Sequence, residues 1–122
     1  MTKRVLIVDD QGELRMLVRM TLESSDYELH EAGDGSRTLD LLGVIKPHLV
    51  VLDIMMPGSI DGLKVCETIK NQPELMHIKV VLLSAKGQQA DLECGHQAGA
   101  DAYLVKPFSP LDLIKTVSSL LA

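Results

Sequence analysis

The chain reads as an α/β domain, an open parallel sheet with helices on both faces. Two observations predict this class. Short β-branched, apolar runs alternate with helical patterns along the sequence, and five β-α units in succession imply a parallel sheet covered on both sides. Most of the runs are continuously apolar, as strands buried on both faces are, rather than alternating. A third observation concerns chemistry. Asp9 and Asp10, Asp53, and Lys106 each stand just past such a run.

The first strand is predicted over residues 4–8, where Val5-Leu6-Ile7-Val8 runs into Asp9-Asp10. Leu14, Leu17, Val18, Thr21 and Leu22 then form one helical stripe. Tyr27-Glu28-Leu29-His30-Glu31 alternates, as an edge strand would. Gly33-Asp34-Gly35 marks the turn into the second helix, and Lys46-Pro47 the break before a strand at 49–52. Val65, Cys66 and Ile69 make the stripe of the third helix, and the fourth strand follows at 79–83. The fourth predicted helix, around Gly87–Ala98, is the least apolar, so weak packing is expected there. After a strand at 102–105, the fifth helix carries the cleanest stripe: Leu113, Ile114, Val117, Leu120 and Leu121. Ser109 is its expected N-cap, with Pro110 in the first helical position and Asp112 in the first turn.

Right-handed crossovers place ligands of such a sheet at the carboxyl ends of its strands. All the acidic residues named above, and the lysine, fall there. Carboxylates brought together repel, so the cluster requires a cation, a shared proton or a basic partner. Such a pocket, with one lysine and room for a hard cation, suits phosphoryl chemistry.

Composition sets broader bounds. With 122 residues the chain is expected to form one domain spanning 1–122. It is 46% hydrophobic and 24% charged, a globular balance. The net charge of −5 argues against binding nucleic acid through its phosphates. Two cysteines, Cys66 and Cys94, suggest no disulfide framework. No apolar run approaches the roughly 20 residues that span a bilayer, and Val5–Val8 is too short for a signal peptide. A reducing, cytoplasmic setting without membrane attachment is the expectation.

Several motifs, in order and spacing, resemble the receiver domain of two-component response regulators over essentially the whole chain. They are Val8-Asp9-Asp10, Asp53-Ile54-Met55-Met56-Pro57 followed by Asp61-Gly62, Ser84-Ala85, and the stretch from Ala98-Gly99-Ala100-Asp101 through Ala102-Tyr103-Leu104-Val105 to Lys106-Pro107-Phe108. The chain is similar to single-domain, chemotaxis-type regulators. The resemblance implies a flavodoxin-like, doubly wound (βα)5 fold with strand order 2-1-3-4-5.

It also implies roles. Asp53 is the expected phosphoacceptor, a carboxylate nucleophile. Asp9 and Asp10, with Asp53 and the Met55 backbone carbonyl, are expected to hold Mg²⁺, Asp9 often through water. Lys106 supplies the positive charge, with a cis Lys106-Pro107 bond turning it into the site. Three aspartates are then balanced by one Mg²⁺ and one lysine. The Ser84 hydroxyl is expected to bond a phosphoryl oxygen, and Tyr103 to act as the switch aromatic. A change at Asp53 would be relayed through the face formed by the fourth helix, fifth strand and fifth helix.

The implied donor is a sensor histidine kinase or a histidine phosphotransfer protein, docking on the first helix. The downstream effector is not legible. The chain catalyses only its own phosphorylation and its reversal, so it is a switch rather than a conventional enzyme. It ends close after the fifth helix with no nucleic-acid-binding segment, which suits a stand-alone regulator or a receiver cut from a longer protein. Either a monomer or a phosphorylation-dependent dimer is compatible.

Two departures from the family pattern stand out. Gly58-Ser59-Ile60 separates Pro57 from Asp61, one residue longer than usual. Met55 and Lys86 occupy the variable positions flanking the site; Lys86 reads as solvated. Other classes fit less well. An aspartate-nucleophile phosphatase carries a second acid two residues after its nucleophile, where this chain has Met55. A flavin or dinucleotide site needs phosphate-cradling glycines where Asp9-Asp10 would repel phosphate. A receiver-like interaction module working without phosphate remains as the alternative. His30, His48, His77 and His96 fall on different elements and predict no zinc site, and Cys94-Gly95-His96 has no second pair. The methionines Met16, Met20, Met55, Met56 and Met76 read as core or loop residues.

Overall fold

The parallel sheet predicted from the apolar runs is present in the computed structural model, which describes residues 2–56, 58–85 and 98–122. Its strands are β1 (Lys3–Val8), β2 (Tyr27–Ala32), β3 (Leu49–Asp53), β4 (Lys79–Ala85) and β5 (Ala102–Lys106). The described helices are α1 (Gly12–Leu22), α2 (Gly35–Ile45), α3 (Gly62–Asn71) and α4 (Pro110–Leu121). Thus α4 is the fifth helix of the sequence reading. The helix expected over 87–98, with Lys86, Cys94 and His96, lies outside the described residues except for Ala98.

All strand pairs are parallel, in the order β2-β1-β3-β4-β5. This is the doubly wound, flavodoxin-like arrangement. Alternation along the strands sends side chains to two cores. Val5, Ile7, Leu49, Val51, Val81 and Leu83 meet Val18 and Leu22 of α1 and Leu113 and Val117 of α4. Leu6, Val8, Val50, Leu52, Val80 and Leu82 meet Leu42 of α2 and Val65, Cys66 and Ile69 of α3. Such a sheet has no solvent face in its centre, which is why β1 and β3 read as unbroken apolar runs.

Local chemistry starts and stops the helices where the sequence indicates. Ser109 Oγ accepts from the backbone N–H groups of Leu111 and Asp112 at 3.2 and 3.5 Å. Asp34 caps α2 through Arg37 N–H at 2.7 Å, and Asp61 caps α3 through Lys64 N–H at 2.9 Å. At the end of α2, Lys46 takes a left-handed conformation with φ of 52° before Pro47. The Lys106-Pro107 peptide is cis.

Three expectations need correction. The run of the fifth strand, read with those buried on both faces, is only half-buried and its Val105 is exposed, as the edge place that the strand order gives it requires. A short apolar run reveals strand type but not its place in the sheet. Leu17, assigned to the buried stripe of α1, is 47% exposed. Met16 and Met20, read as core or loop, stand beside it on the outer face at 61% and 63% exposure. Only Val18 and Leu22 of that helix are fully covered, because the buried arc of α1 is narrower than its apolar arc.

Candidate functional site

The carboxyl edge of the sheet gathers the residues predicted to act. Asp9 follows the last residue of β1, Asp53 ends β3, Ser84 is the penultimate residue of β4 and Lys106 ends β5. Register aligns them: Val8 pairs with Leu52, Asp53 with Leu83, and Ser84 with Val105. A side chain just past each strand end therefore enters the same crevice.

Carboxylate oxygens of Asp9, Asp10 and Asp53 lie within 4.8 Å of one another. Lys106 Nζ stands 3.2 Å from Asp53 Oδ1 and 3.5 Å from Asp9 Oδ2. Asp53 Oδ1 also accepts the Met55 N–H at 3.3 Å, and Asp9 Oδ1 accepts the Gln11 N–H at 2.9 Å. Asp9, Asp53 and Ser84 are buried at 2%, 4% and 1% exposure, whereas Asp10 is exposed. Three carboxylates against one ammonium leave an excess of two negative charges, the charge of one divalent cation.

Burial pushes the Asp9 carboxyl above its ordinary range, opposed by the Gln11 N–H and Lys106 and reinforced by the neighbouring charges of Asp53 and Asp10. Its Oδ2 is buried and, among the described residues, makes no hydrogen bond, with only the Lys106 ammonium near it at 3.5 Å. An ionised oxygen in that position suits a hard cation, and the all-oxygen donor set of Asp9, Asp10 and Asp53 fits Mg²⁺. No histidine joins a metal-ligating group among the described residues. His30 instead pairs with Glu28 at 2.7 Å, and His48 Nδ1 accepts the Arg4 N–H at 3.0 Å.

Tyr103 packs, half-buried, against the core shared by α2 and α3, and its hydroxyl is buried with no hydrogen-bond partner among the described residues. The lengthened loop is anchored by Ile60, which packs on that same core. A Cβ at Gly35 would sit 2.3 Å from the Ile60 carbonyl oxygen, so only glycine admits this approach. Gly62 is tighter: a Cβ there would lie 2.1 Å from the Asp53 carbonyl oxygen. The start of α3 thus presses on the backbone of Asp53.

Sequence reasoning missed two contributors. Gly62 stands in the Asp61-Gly62 motif, but its steric reason lies on β3, out of reach of local pattern. Arg15 drew no attention, yet its Nη1 donates to the Asp9 carbonyl at 2.6 Å. An arginine in the second turn of an amphipathic helix gives no local signal of that reach.

The carboxyl edge of the sheet thus joins an aspartate triad to a lysine, the arrangement that the resemblance to receiver domains implies. A family model described as the response regulator receiver domain matches residues 5–118, and the chain belongs to that family. It is 39% identical over 118 residues to the transcriptional regulatory protein ResD of Bacillus subtilis, covering 97% of this chain and 48% of ResD. With the alkaline phosphatase synthesis transcriptional regulatory protein PhoP of the same organism it shares 38% over 121 residues, 99% of this chain and 49% of PhoP. The chain spans about half the length of these curated relatives. Among solved structures, a putative response regulator from Chloroflexus aurantiacus superposes with a TM-score of 0.94 at 30% identity, covering 99% of this chain and 98% of that one. The chemotaxis response regulator CheY4 of Vibrio cholerae gives 0.88 at 28% identity, with 98% and 99% covered. The chain is therefore a two-component signalling domain. No described helix is long and apolar enough to cross a membrane.

Proposed function

We propose that this domain is a phosphorylation-controlled switch that accepts a phosphoryl group on Asp53 from a phosphohistidine of a sensor kinase or phosphotransfer protein. The observation that carries the reading is Lys106 Nζ bridging Asp53 and Asp9 within a cluster of three carboxylates.

Among the described residues both contacts of the Asp53 carboxylate fall on Oδ1, so Oδ2 is the oxygen that attacks phosphorus. The new O–P bond gives an aspartyl phosphate as the P–N bond to imidazole breaks, and the electron pair leaves with the ring, which is protonated. Asp9, Asp10, Asp53 and the Met55 carbonyl would hold Mg²⁺, which when bound neutralises charge on the phosphoryl oxygens. Lys106 holds the remaining positive charge against the transferred group. The Ser84 hydroxyl donates to a phosphoryl oxygen, and Tyr103 follows by moving further into its core. The population of two existing arrangements shifts, and the face bearing β5 and α4 changes shape.

The exposed Met16, Leu17 and Met20 on α1 suit docking of the phosphodonor, a helix face with three adjacent apolar side chains beside the Asp9–Asp10 loop. The domain modifies and restores only itself. Its cytoplasmic setting follows from the kinase it would serve.

Intact mass after incubation with acetyl phosphate and Mg²⁺ tests the reading. One phosphoryl group is expected on the wild type and none on Asp53→Asn or in EDTA. A wild type that neither gains mass nor binds beryllofluoride with Mg²⁺ present would replace the switch by a phosphate-independent interaction module.

A further inference from the structure

Arg15 lies on α1, outside the cluster of carboxylates and lysine, yet it grips the backbone that carries two of the carboxylates. Its Nη1 donates to the Asp9 carbonyl oxygen at 2.6 Å, while its Nε pairs with Glu31 Oε1 on β2 at 3.2 Å. The second oxygen of Glu31 takes Arg19 Nη1 at 3.0 Å. The guanidinium is thus held from one side by an anchored carboxylate. With its other side it holds the peptide group that joins Asp9 to Asp10.

Asp9 itself is secured three times more, by its N–H to the Ala32 carbonyl at 3.2 Å, by its Oδ1 to the Gln11 N–H at 2.9 Å and by its Oδ2 to Lys106 Nζ at 3.5 Å. Asp10 has no such support. It is exposed and makes no hydrogen bond or ion pair among the described residues. The direction of its side chain depends on the plane of the Asp9–Asp10 peptide, and Arg15 bonds the carbonyl of that peptide. A planar fork with several donors bonds a carbonyl and a carboxylate at once in a geometry that a rotatable ammonium does not fix.

We propose that Arg15 is a positioning residue for the cation site, fixing the Asp9–Asp10 peptide so that both carboxylates face one Mg²⁺. The inference rests on the switch reading above, specifically on its cation site. Charge and position give opposite signs here. As a positive charge beside three carboxylates, Arg15 opposes a bound cation, so its removal would tighten Mg²⁺. As a clamp, its removal loosens Mg²⁺ by about 10–100-fold, the usual cost of losing a group that orients a metal ligand.

Calorimetric titration of the whole chain with Mg²⁺ tests this, with thermal melts in EDTA run alongside. Arg15→Ala is expected to weaken Mg²⁺ at least tenfold. Arg15→Lys keeps the charge without the fork and is expected to fall between it and the wild type; it also carries the test if the alanine variant does not fold. An alanine variant that binds Mg²⁺ as well as or better than the wild type overturns the assignment. So does a lower melting temperature in EDTA with unchanged Mg²⁺ affinity, the result of a purely structural arginine. A lysine variant equal to the wild type overturns the two-armed clamp. A wild type that binds no Mg²⁺ overturns the cation site itself and Arg15 with it, an outcome separate from the others.

Discussion

Replacing Asp9 by asparagine should stabilise the metal-free domain, and the gain should reverse when Mg²⁺ is added. Asparagine keeps an oxygen for the Gln11 N–H and removes a buried charge. At an effective dielectric near 20, unit charges 4.8 Å apart repel by about 3.5 kcal/mol, which is the least that Asp53 exerts on Asp9. Lys106 at 3.5 Å returns about 4.7 kcal/mol on the same scale. Asp10 adds a second repulsion, weakened by solvent because Asp10 is exposed. Attraction and repulsion nearly cancel, so burial decides, in agreement with the raised pKa of Asp9. The gain therefore has the sign of the burial cost, and each kcal/mol of it reads as about 4 °C in Tm for a chain of this size.

The direction with pH is also set. A carboxyl whose folded pKa lies above its ordinary 3.8 adds stability below that pH and loses it as pH rises through the folded value. The advantage of Asp9→Asn should therefore be full at neutral pH and vanish toward pH 3.8. Thermal melts of both proteins in EDTA, across pH and then in saturating Mg²⁺, measure it. At 100 times its Kd, Mg²⁺ adds about 2.7 kcal/mol to whichever protein binds it, and the wild type should then melt higher. An asparagine variant that melts below the wild type in EDTA at pH 7 would refute the balance of burial against attraction. A gap that Mg²⁺ does not narrow would refute the cation site.

Three further substitutions have outcomes set by packing or charge. Gly62→Ala forces a methyl against the Asp53 carbonyl, and backbone cannot yield as a side chain does; a loss of about 3 kcal/mol or more in urea unfolding is expected, with slower phosphorylation by acetyl phosphate. Gly43→Ala, with nothing within 4 Å on exposed α2, should instead gain about 0.5–1 kcal/mol, and equal effects at both sites would contradict the steric account. His48 is held below its ordinary pKa by burial and by Arg4, Lys3 and His77, and its Nδ1 accepts the Arg4 N–H. Its contribution to stability is present above pH 6.5 and lost as pH falls through the folded value, so His48→Asn should lose less stability than the wild type between pH 8 and pH 5.

The sequence by itself determined the alternation of strands and helices, the turn at Gly33-Asp34-Gly35, the cap at Ser109, and the placing of Asp9, Asp53, Ser84 and Lys106 at strand ends. Those features are local: a period of two or 3.6, a polar residue before a stripe, a charge after an apolar run. The strand order came from resemblance to a family, since no periodicity says which strand lies beside which. Tertiary structure alone decided that Val105 of β5 is exposed, that Leu17 turns outward with Met16 and Met20, and that Asp9 is buried while its neighbour Asp10 is exposed. It also brought Arg15 to the Asp9 carbonyl and Gly62 against Asp53. Each depends on the approach of elements distant in the chain, where a few tenths of an ångström separate contact from clash. Local pattern tells which face of an element is apolar; only packing tells what covers it.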